Sequence, residues 1–311
     1  MKAPQIVGDV WFNTRPLSVS DLEGKAVLFD FWAYSCINCL RTLPYLKEWW
    51  AKYGKEDFLI IGIHTPEFEF EKDPENVEKA IKELGVTWPV VVDNDYLNWN
   101  NLANHYWPAK YLSDKNGNIV YKHFGEGNYK ETEIKIRELL FGQEGFKKYK
   151  VDLDEHNHGN VCFIPTPELY CGYKRGILSN NEGYVFDREA DYKRPEEIKI
   201  DSIALSGKFL AKSEFVETKS KDSEILLNFM ATEVNLVLSD NGSKVQVFLN
   251  KKPIDNNMAG KDVDRLGQLT IKESRMYNLL KSSTLMEGIL TVKPVSGSFK
   301  AYAFTFSGCV I

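Results

Sequence analysis

The sequence predicts an α/β domain followed by an all-β domain, and three observations carry this prediction. Between residues 26 and 141, short apolar runs alternate with helical stretches, which is typical of helices packed on a mixed sheet. From about Val151 the chain turns polar, and beyond Pro167 apolar residues recur with a period of two, as in antiparallel strands. A length of 311 residues also suits two domains. We place the α/β domain at 1–148, a linker at 149–165 and the β domain at 166–311.

Each element of the first half has its own local signal. Ala26–Trp32 is a short apolar run typical of a buried strand, and Gly54 and Gly85 stand where helical stretches end. The pair Asn116-Gly117 predicts the turn of a hairpin. The predicted elements are, in order, a strand at Ala26–Trp32, a helix at Arg41–Tyr53, a strand at Phe58–Ile63, a helix from Asp73 to Leu84, a strand at Trp88–Val92, a hairpin of Ala109–Leu112 and Ile119–Phe124, and a helix at Lys130–Phe141.

Alternating strands define the second half. Apolar and polar residues alternate in Glu233–Ser239 and again in Lys244–Leu249, on either side of a turn at residues 240–243. Gly288–Val292 and Phe299–Phe306 repeat the pattern. Several short alternating strands joined by turns predict an antiparallel sandwich or jelly roll.

Composition and charge exclude some classes of function. The formal charge of −5, without a concentrated Lys/Arg face, gives no basis for nucleic-acid binding. No run approaches the roughly 18–20 apolar residues of a membrane span. The start, Met1 to Gln5, lacks the apolar centre of a signal peptide. Two locations stay open: the protein is cytoplasmic, or Met1 is a boundary behind a targeting or membrane segment.

Five cysteines are too few for a disulfide-built scaffold, and their odd number leaves at least one thiol unpaired in the monomer. Cys36 and Cys39 form a CxxC in a strand–helix context, which favours a redox pair. A zinc site would need a second ligand pair at similar spacing, whereas Cys162 and Cys171 are separated by eight residues. These two either form a second disulfide in an oxidising compartment or stay plain thiols.

Position along the chain assigns a role to each residue of the redox centre. A thiolate attacks a disulfide sulfur, and a helix N-terminus lowers a cysteine pKa because its N–H groups and dipole stabilise the anion. Cys36 lies between a strand and a helix, so we expect it to be the nucleophile. Cys39 follows one turn later and resolves the mixed disulfide. Asp30 lies within the apolar run, where burial raises a carboxyl pKa; it either exchanges a proton with Cys39 or only hydrogen-bonds the backbone.

The segment Asp30–Cys39 resembles the active-site segment of thioredoxins. Thioredoxins carry a buried acid six residues before the first cysteine, as Asp30 stands here, and a proline five residues after the second, as Pro44 does. The resemblance implies a thioredoxin-like fold for the first domain. It also implies that Pro108 is cis, faces the CxxC and docks the substrate chain; the alternative is an ordinary trans turn proline.

Three aromatic residues and one acid are further site candidates. Trp32 and Tyr34 are expected to shape the substrate rim rather than take part in the chemistry. Trp107 is expected to join them, with aromatic core packing as the competing interpretation. Glu67 follows the second buried strand, where related thioredoxin-like cytochrome-maturation reductases carry an acid beside the CxxC. It either tunes the thiol pKa or is a solvated loop acid.

A narrower resemblance covers nearly the whole chain. Several segments resemble the soluble region of the DipZ family, in which a CcdA-type membrane electron-transfer segment is joined to a thioredoxin-like domain and a C-terminal β domain. This implies a periplasmic or extracytoplasmic location, a CcdA-type electron donor, a link to cytochrome c biogenesis and a β domain like a carbohydrate-binding module. The segments are Phe31–Pro44, His64–Phe68, His123–Gly127, Thr166–Tyr173 and Tyr302–Phe306.

Two weaker signals stay open. Asp152–His158 is rich in metal-ligating side chains, but its spacing is not diagnostic and a polar linker is the alternative. The β domain either binds carbohydrate or serves as a docking module or spacer, because fold analogy does not establish a ligand.

The predicted function is thiol–disulfide exchange with protein disulfide substrates. Cys36 attacks, Cys39 resolves, Asp30 moves the proton and Pro108 docks the substrate. The sequence does not determine the reduction potential, and the family resemblance favours reduction over oxidation. No metal and no cofactor beyond the Cys36–Cys39 disulfide are predicted. The rival hypothesis is a sugar- or protein-binding β domain on a redox-silent thioredoxin scaffold.

Overall fold

The computed structural model describes residues 2–142, 162–240, 242–254 and 257–309. The chain divides into two units, residues 1–156 and 157–311. In the described part, the first unit is α/β and the second is all-β, so the predicted fold class is confirmed. Most of the predicted linker and all of Asp152–His158 lie outside the described residues, and the predicted domain boundaries stay predictions. No helix in the described ranges is long and apolar enough to cross a membrane.

The first unit contains a six-stranded mixed sheet and five α-helices within its described residues. Its strands are β1 (Trp11–Phe12), β2 (Ala26–Trp32), β3 (Phe58–His64), β4 (Val90–Val92), β5 (Ala109–Ser113) and β6 (Ile119–Phe124). Its helices are α1 (Val19–Leu22), α2 (Ile37–Tyr53), α3 (Pro74–Leu84), α4 (Leu97–Asn101) and α5 (Tyr129–Phe141), with a 3₁₀ helix at Glu69–Lys72. The strand order is β1-β4-β3-β2-β5-β6, in which β2, β3 and β4 are parallel and the other neighbours antiparallel.

The alternation of side chains along β2 fills both faces of this sheet. Leu28 and Trp32 belong to one hydrophobic cluster, whereas Phe29 and Phe31 belong to another on the opposite face. All seven residues of β2 are buried. The same alternation directs Asp30 to the face of Leu28 and Trp32, which is also the face covered by α2.

Two element boundaries differ from the predicted ones. Helix α2 begins at Ile37 rather than Arg41, because the Cys36 side chain caps it, and Cys39 therefore lies inside the helix. Strand β4 begins at Val90 rather than Trp88. The sequence does not predict β1, α1, α4 or the 3₁₀ helix, because elements of two to five residues are too short to show a hydrophobic period.

The second unit, in its described residues, is a ten-stranded antiparallel sheet. Eight of its strands follow the order β13-β12-β15-β11-β16-β10-β9-β8, and the other two, β14 and β7, pair with β12 and β16. Its strands are β7 (Leu169–Tyr170), β8 (Glu189–Tyr192), β9 (Ser202–Ala211), β10 (Val216–Thr218), β11 (Glu224–Ser239), β12 (Lys244–Leu249), β13 (Lys252–Pro253), β14 (Gln268–Thr270), β15 (Arg275–Ser296) and β16 (Lys300–Ser307). One hydrophobic cluster forms its core. The antiparallel strands are confirmed, and the jelly-roll arrangement stays a prediction.

The second disulfide joins Cys162 to Cys309, with Cα atoms 4.1 Å apart, and links residues 147 apart in sequence. The alternative that paired Cys162 with Cys171 is therefore wrong. Cys162 and Cys309 face each other in an isolated antiparallel bridge, whereas Cys171 is buried in the core of the second unit. Burial raises the pKa of the Cys171 thiol, which favours its neutral form.

Replacing Cys162 and Cys309 together with serine is expected to lower the free energy of unfolding of the second unit by roughly 2–4 kcal/mol, because the cross-link restricts the unfolded chain. Thermal or urea unfolding of the double variant measures this change. Unfolding in dithiothreitol gives a second comparison. Because dithiothreitol also reduces Cys36–Cys39 in both proteins, the informative quantity is how much more it lowers the unfolding midpoint of the wild type than that of the variant. Equal unfolding midpoints for the wild type and the variant, without reductant, would contradict the prediction.

Candidate active site

The CxxC lies where β2 ends and α2 begins. Cys36 occupies the N-cap position of α2, and its Sγ accepts a hydrogen bond from the Cys39 N–H at 3.2 Å. The two residues form a disulfide, with Cα atoms 5.2 Å apart. Cys36 is 8% exposed and Cys39 is 1% exposed. Cys36 is therefore the more accessible sulfur, and the helix N-terminus is placed to stabilise its thiolate.

Asp30 lies on the same face of the sheet as the two cysteines. Its same-face neighbour Trp32 belongs to the hydrophobic cluster that contains Cys36 and Cys39. Asp30 is buried, and burial raises its pKa to about 7, while the positive charge of Lys110 acts in the opposite direction. Within the described ranges, Asp30 Oδ1 has no hydrogen-bond partner. A carboxyl group of this pKa can exchange a proton near neutral pH.

Lys110 is a buried lysine that the sequence reasoning misses. It lies directly opposite Asp30 in the antiparallel pairing of β2 with β5, so both side chains project from the same face. Burial lowers the pKa of Lys110, and the charge of Asp30 raises it. Its Nζ has no hydrogen-bond partner in the described part of the chain and lies 5.7 Å from the centroid of the Tyr129 ring. The available signal was a single lysine inside the apolar stretch Ala109–Leu112.

The peptide bond between Trp107 and Pro108 is cis, as predicted. Phe31 pairs with Ala109, so Pro108 lies at the end of the sheet from which the chain continues into the CxxC. The Pro108 carbonyl accepts a hydrogen bond from the Gly125 N–H at 2.8 Å. The geometry thus brings Pro108 to the CxxC end of the sheet, and its role in docking substrate stays a prediction.

Glu71 is the fully buried acid of the segment that follows β3. Its carboxylate accepts hydrogen bonds from Ser35 N and Oγ, at 3.1 and 2.7 Å, and from the N–H groups of Glu67 and Phe68, at 2.6 and 3.2 Å. Burial and the charge of Glu67 raise the Glu71 pKa to about 7, and the hydrogen bonds lower it. Glu67 is partly exposed, and its predicted role is untested. The sequence gives no signal for Glu71, since acidic residues crowd this segment without a period.

The predicted rim residues divide between core and surface. Trp32 is 2% exposed and packs in the core, and the rim role predicted for it stays a prediction. Tyr34 is 6% exposed and stacks on His64, with ring centroids 5.6 Å apart. Trp107 is partly exposed and its indole N–H donates to the Thr65 carbonyl at 3.0 Å. The rim roles of Tyr34 and Trp107 stay predictions.

His64 is a third buried polar residue that the sequence reasoning does not assign to the site. It pairs with Trp32 in the parallel register of β2 and β3, at the end of the sheet next to the CxxC. Burial lowers its pKa to about 3, so the imidazole is neutral at physiological pH. A neutral ring supports Tyr34 by stacking and adds no charge near the sulfurs.

Comparison with known proteins finds relatives over nearly the whole chain. Residues 2–122 match the AhpC/TSA family, and residues 166–307 match a family described as the thioredoxin-like C-terminal domain. Over 309 residues, 98% of this chain, the sequence is 32% identical to protein DipZ of Mycobacterium bovis. The chain is a homologue of DipZ. It spans 42% of the length of that DipZ protein.

Two further relatives resemble part of this DipZ homologue. Thiol-disulfide oxidoreductase YkuV of Bacillus subtilis is 28% identical over 138 residues, which cover 44% of this chain and 93% of YkuV. The crystal structure of a thioredoxin-like superfamily protein is 25% identical, covers 45% of this chain and 97% of its own, and has a TM-score of 0.43. Among the described residues of the DipZ homologue, no group of three or more His, Cys, Asp or Glu side chains is arranged to hold a metal ion.

Proposed function

We propose that this chain is a thiol–disulfide oxidoreductase that reduces protein disulfides. The observation that carries the proposal is the bonded Cys36–Cys39 pair at the N-terminus of α2, in which Cys36 is the more exposed residue. Such a pair accepts and donates two electrons by breaking and forming one S–S bond. Homology to DipZ and similarity to YkuV, a protein named as a thiol-disulfide oxidoreductase, support the same activity.

The proposed reaction proceeds in two exchanges. The Cys36 thiolate attacks one sulfur of the substrate disulfide, and the other substrate sulfur leaves as a thiolate that takes up a proton. The Cys39 thiol then gives its proton to the Asp30 carboxylate, and the resulting thiolate attacks Cys36. The mixed disulfide breaks as the Cys36–Cys39 disulfide forms, and the second substrate sulfur leaves as a thiolate that takes up a proton. Lys110 opposes the effect of burial on Asp30 and so keeps its carboxylate available near neutral pH.

The substrate chain is proposed to lie along the turn that contains the cis Pro108. Proline has no backbone N–H, so no hydrogen-bond acceptor is needed for this position. Because Pro108 lies at the CxxC end of the sheet, an extended substrate segment at this turn would bring its disulfide towards Cys36. Tyr34 and Trp107 are the proposed apolar contacts beside it.

Continued turnover needs a donor of two electrons, which must itself be a dithiol or its equivalent. Homology to DipZ supports the proposal that a CcdA-type membrane protein supplies them and that the reaction takes place outside the cytoplasm. The second unit would then position the substrate or this donor. Carbohydrate binding by the second unit is a further hypothesis, which retention on an immobilised polysaccharide would support.

Reduction of insulin disulfides with dithiothreitol as donor tests the proposed activity. We expect the full chain to shorten the lag before insulin precipitates, and a glutathione redox titration to show reversible formation of one bond between Cys36 and Cys39. Mass spectrometry after alkylation measures the bond, because the dithiol form carries two more alkylated thiols than the disulfide form. A chain that neither accelerates insulin reduction nor forms the bond reversibly would contradict the proposal and favour a redox-silent binding module.

A further inference from the structure

The carboxylate of Glu71 connects two loops that flank the CxxC. One oxygen accepts both bonds from Ser35, in the turn between β2 and α2, and the other accepts the N–H groups of Glu67 and Phe68, in the loop after β3. Three of these four donors are backbone N–H groups, which cannot accept a hydrogen bond from a protonated carboxyl. The arrangement therefore suits an ionised carboxylate.

The position of this charge in the chain places it close to the nucleophile. Ser35 immediately precedes Cys36, and the Ser35 N–H and hydroxyl both bond to Glu71. The helix N-terminus favours a thiolate at Cys36, and a buried anion held by the preceding residue disfavours it. Because Glu71 is fully buried, solvent screens this effect weakly.

We propose that Glu71 is a positioning residue that fixes the turn before Cys36 and, as a buried anion, makes the Cys36–Cys39 pair more strongly reducing. The inference rests on the proposed function and deepens it. Reduction of the disulfide takes up two electrons and yields two thiols, of which Cys36 is the one that ionises more readily. A charge that disfavours the Cys36 thiolate destabilises the reduced form, so the dithiol gives up its electrons more readily.

A redox titration of the full chain in glutathione buffers at pH 8 tests this inference, since a carboxyl of pKa about 7 is mostly ionised there. For Glu71→Gln we expect the equilibrium to shift about tenfold towards the dithiol, which is ~30 mV for a two-electron couple. The pKa of Cys36, followed by thiolate absorbance, is expected to fall. Glu69→Gln, on the same 3₁₀ helix but largely exposed, is the matched control and is expected to match the wild type.

Two further variants keep the test decisive. Glu67→Gln is expected to shift the equilibrium less than Glu71→Gln, and an equal or larger shift would assign the effect to Glu67 instead. If Glu71→Gln does not fold, Ser35→Ala replaces it. This variant removes a hydrogen bond that lowers the Glu71 pKa, so less of Glu71 is ionised at pH 8, and the Cys36 pKa is expected to fall, as in Glu71→Gln. An unchanged Cys36 pKa in Ser35→Ala would overturn the inference.

The outcomes also separate this inference from the proposed function. If the wild-type pair does not cycle between disulfide and dithiol, the proposed function fails. If the wild type cycles and Glu71→Gln has the same potential and Cys36 pKa as Glu69→Gln, only the role of Glu71 fails.

Discussion

Cys36→Ser is expected to reduce insulin-disulfide turnover to the uncatalysed background, the largest effect of any single substitution in this chain. A serine hydroxyl is not ionised at neutral pH and cannot form a mixed disulfide, so the first exchange is lost. Cys39→Ser is expected to leave that first exchange intact. Because Cys39 is the covered sulfur that resolves the adduct, this variant should accumulate a stable mixed disulfide with its substrate.

Mass spectrometry of the intact chain, before and after addition of reductant, measures the adduct directly. Cys171→Ala is the control, since this buried thiol belongs to the second unit and should leave turnover unchanged. Substantial turnover by Cys36→Ser, or an adduct on Cys39 in that variant, would show that the assignment of nucleophile and resolving thiol is wrong.

Asp30→Asn is expected to lower turnover by roughly 10²-fold near pH 8, in the range of a lost general base. The sign of the pH dependence follows from the Asp30 pKa of about 7. Below this pH the carboxyl is protonated and cannot take the proton of Cys39; above it the carboxylate is available. Wild-type turnover should therefore rise as the pH passes through about 7, and Asp30→Asn should lack this rise.

Lys110→Met tests whether the charge of Lys110 controls the ionisation of Asp30. The charge of Lys110 lowers the pKa of Asp30, so its removal should raise that pKa and move the rise in turnover to higher pH. Lys122→Met, an exposed position on the neighbouring strand β6, is the control and should keep the wild-type profile. An unshifted profile in Lys110→Met would exclude Lys110 as a determinant of Asp30 ionisation.

Local patterns predicted the parts of the site that depend on neighbours in sequence. The strand before Cys36, the helix after it and the two-residue spacing to Cys39 are all features of one short segment, so the redox pair could be predicted. Asp30 stands inside the apolar run of β2, so its burial also followed from local sequence. The cis Pro108 followed from the resemblance of its segment to thioredoxins.

Long-range pairing decided the parts that were missed or wrong. Lys110 meets Asp30 only through the register of β2 with β5, 80 residues apart in sequence. Glu71 reaches Ser35 through hydrogen bonds between residues 36 apart in sequence. Cys162 lies closer in sequence to Cys171 than to Cys309, but the antiparallel bridge pairs it with Cys309.

The sequence by itself determined two domains of different class, a CxxC at a strand–helix junction and a carboxylate buried near it. These follow from hydrophobic period and local spacing, which act over a few residues. Only the tertiary structure decided which charges surround the sulfurs: Lys110 from β5 and Glu71 from the loop after β3. Their burial, and hence their altered pKa values, arises when strands and loops distant in sequence exclude water from one place.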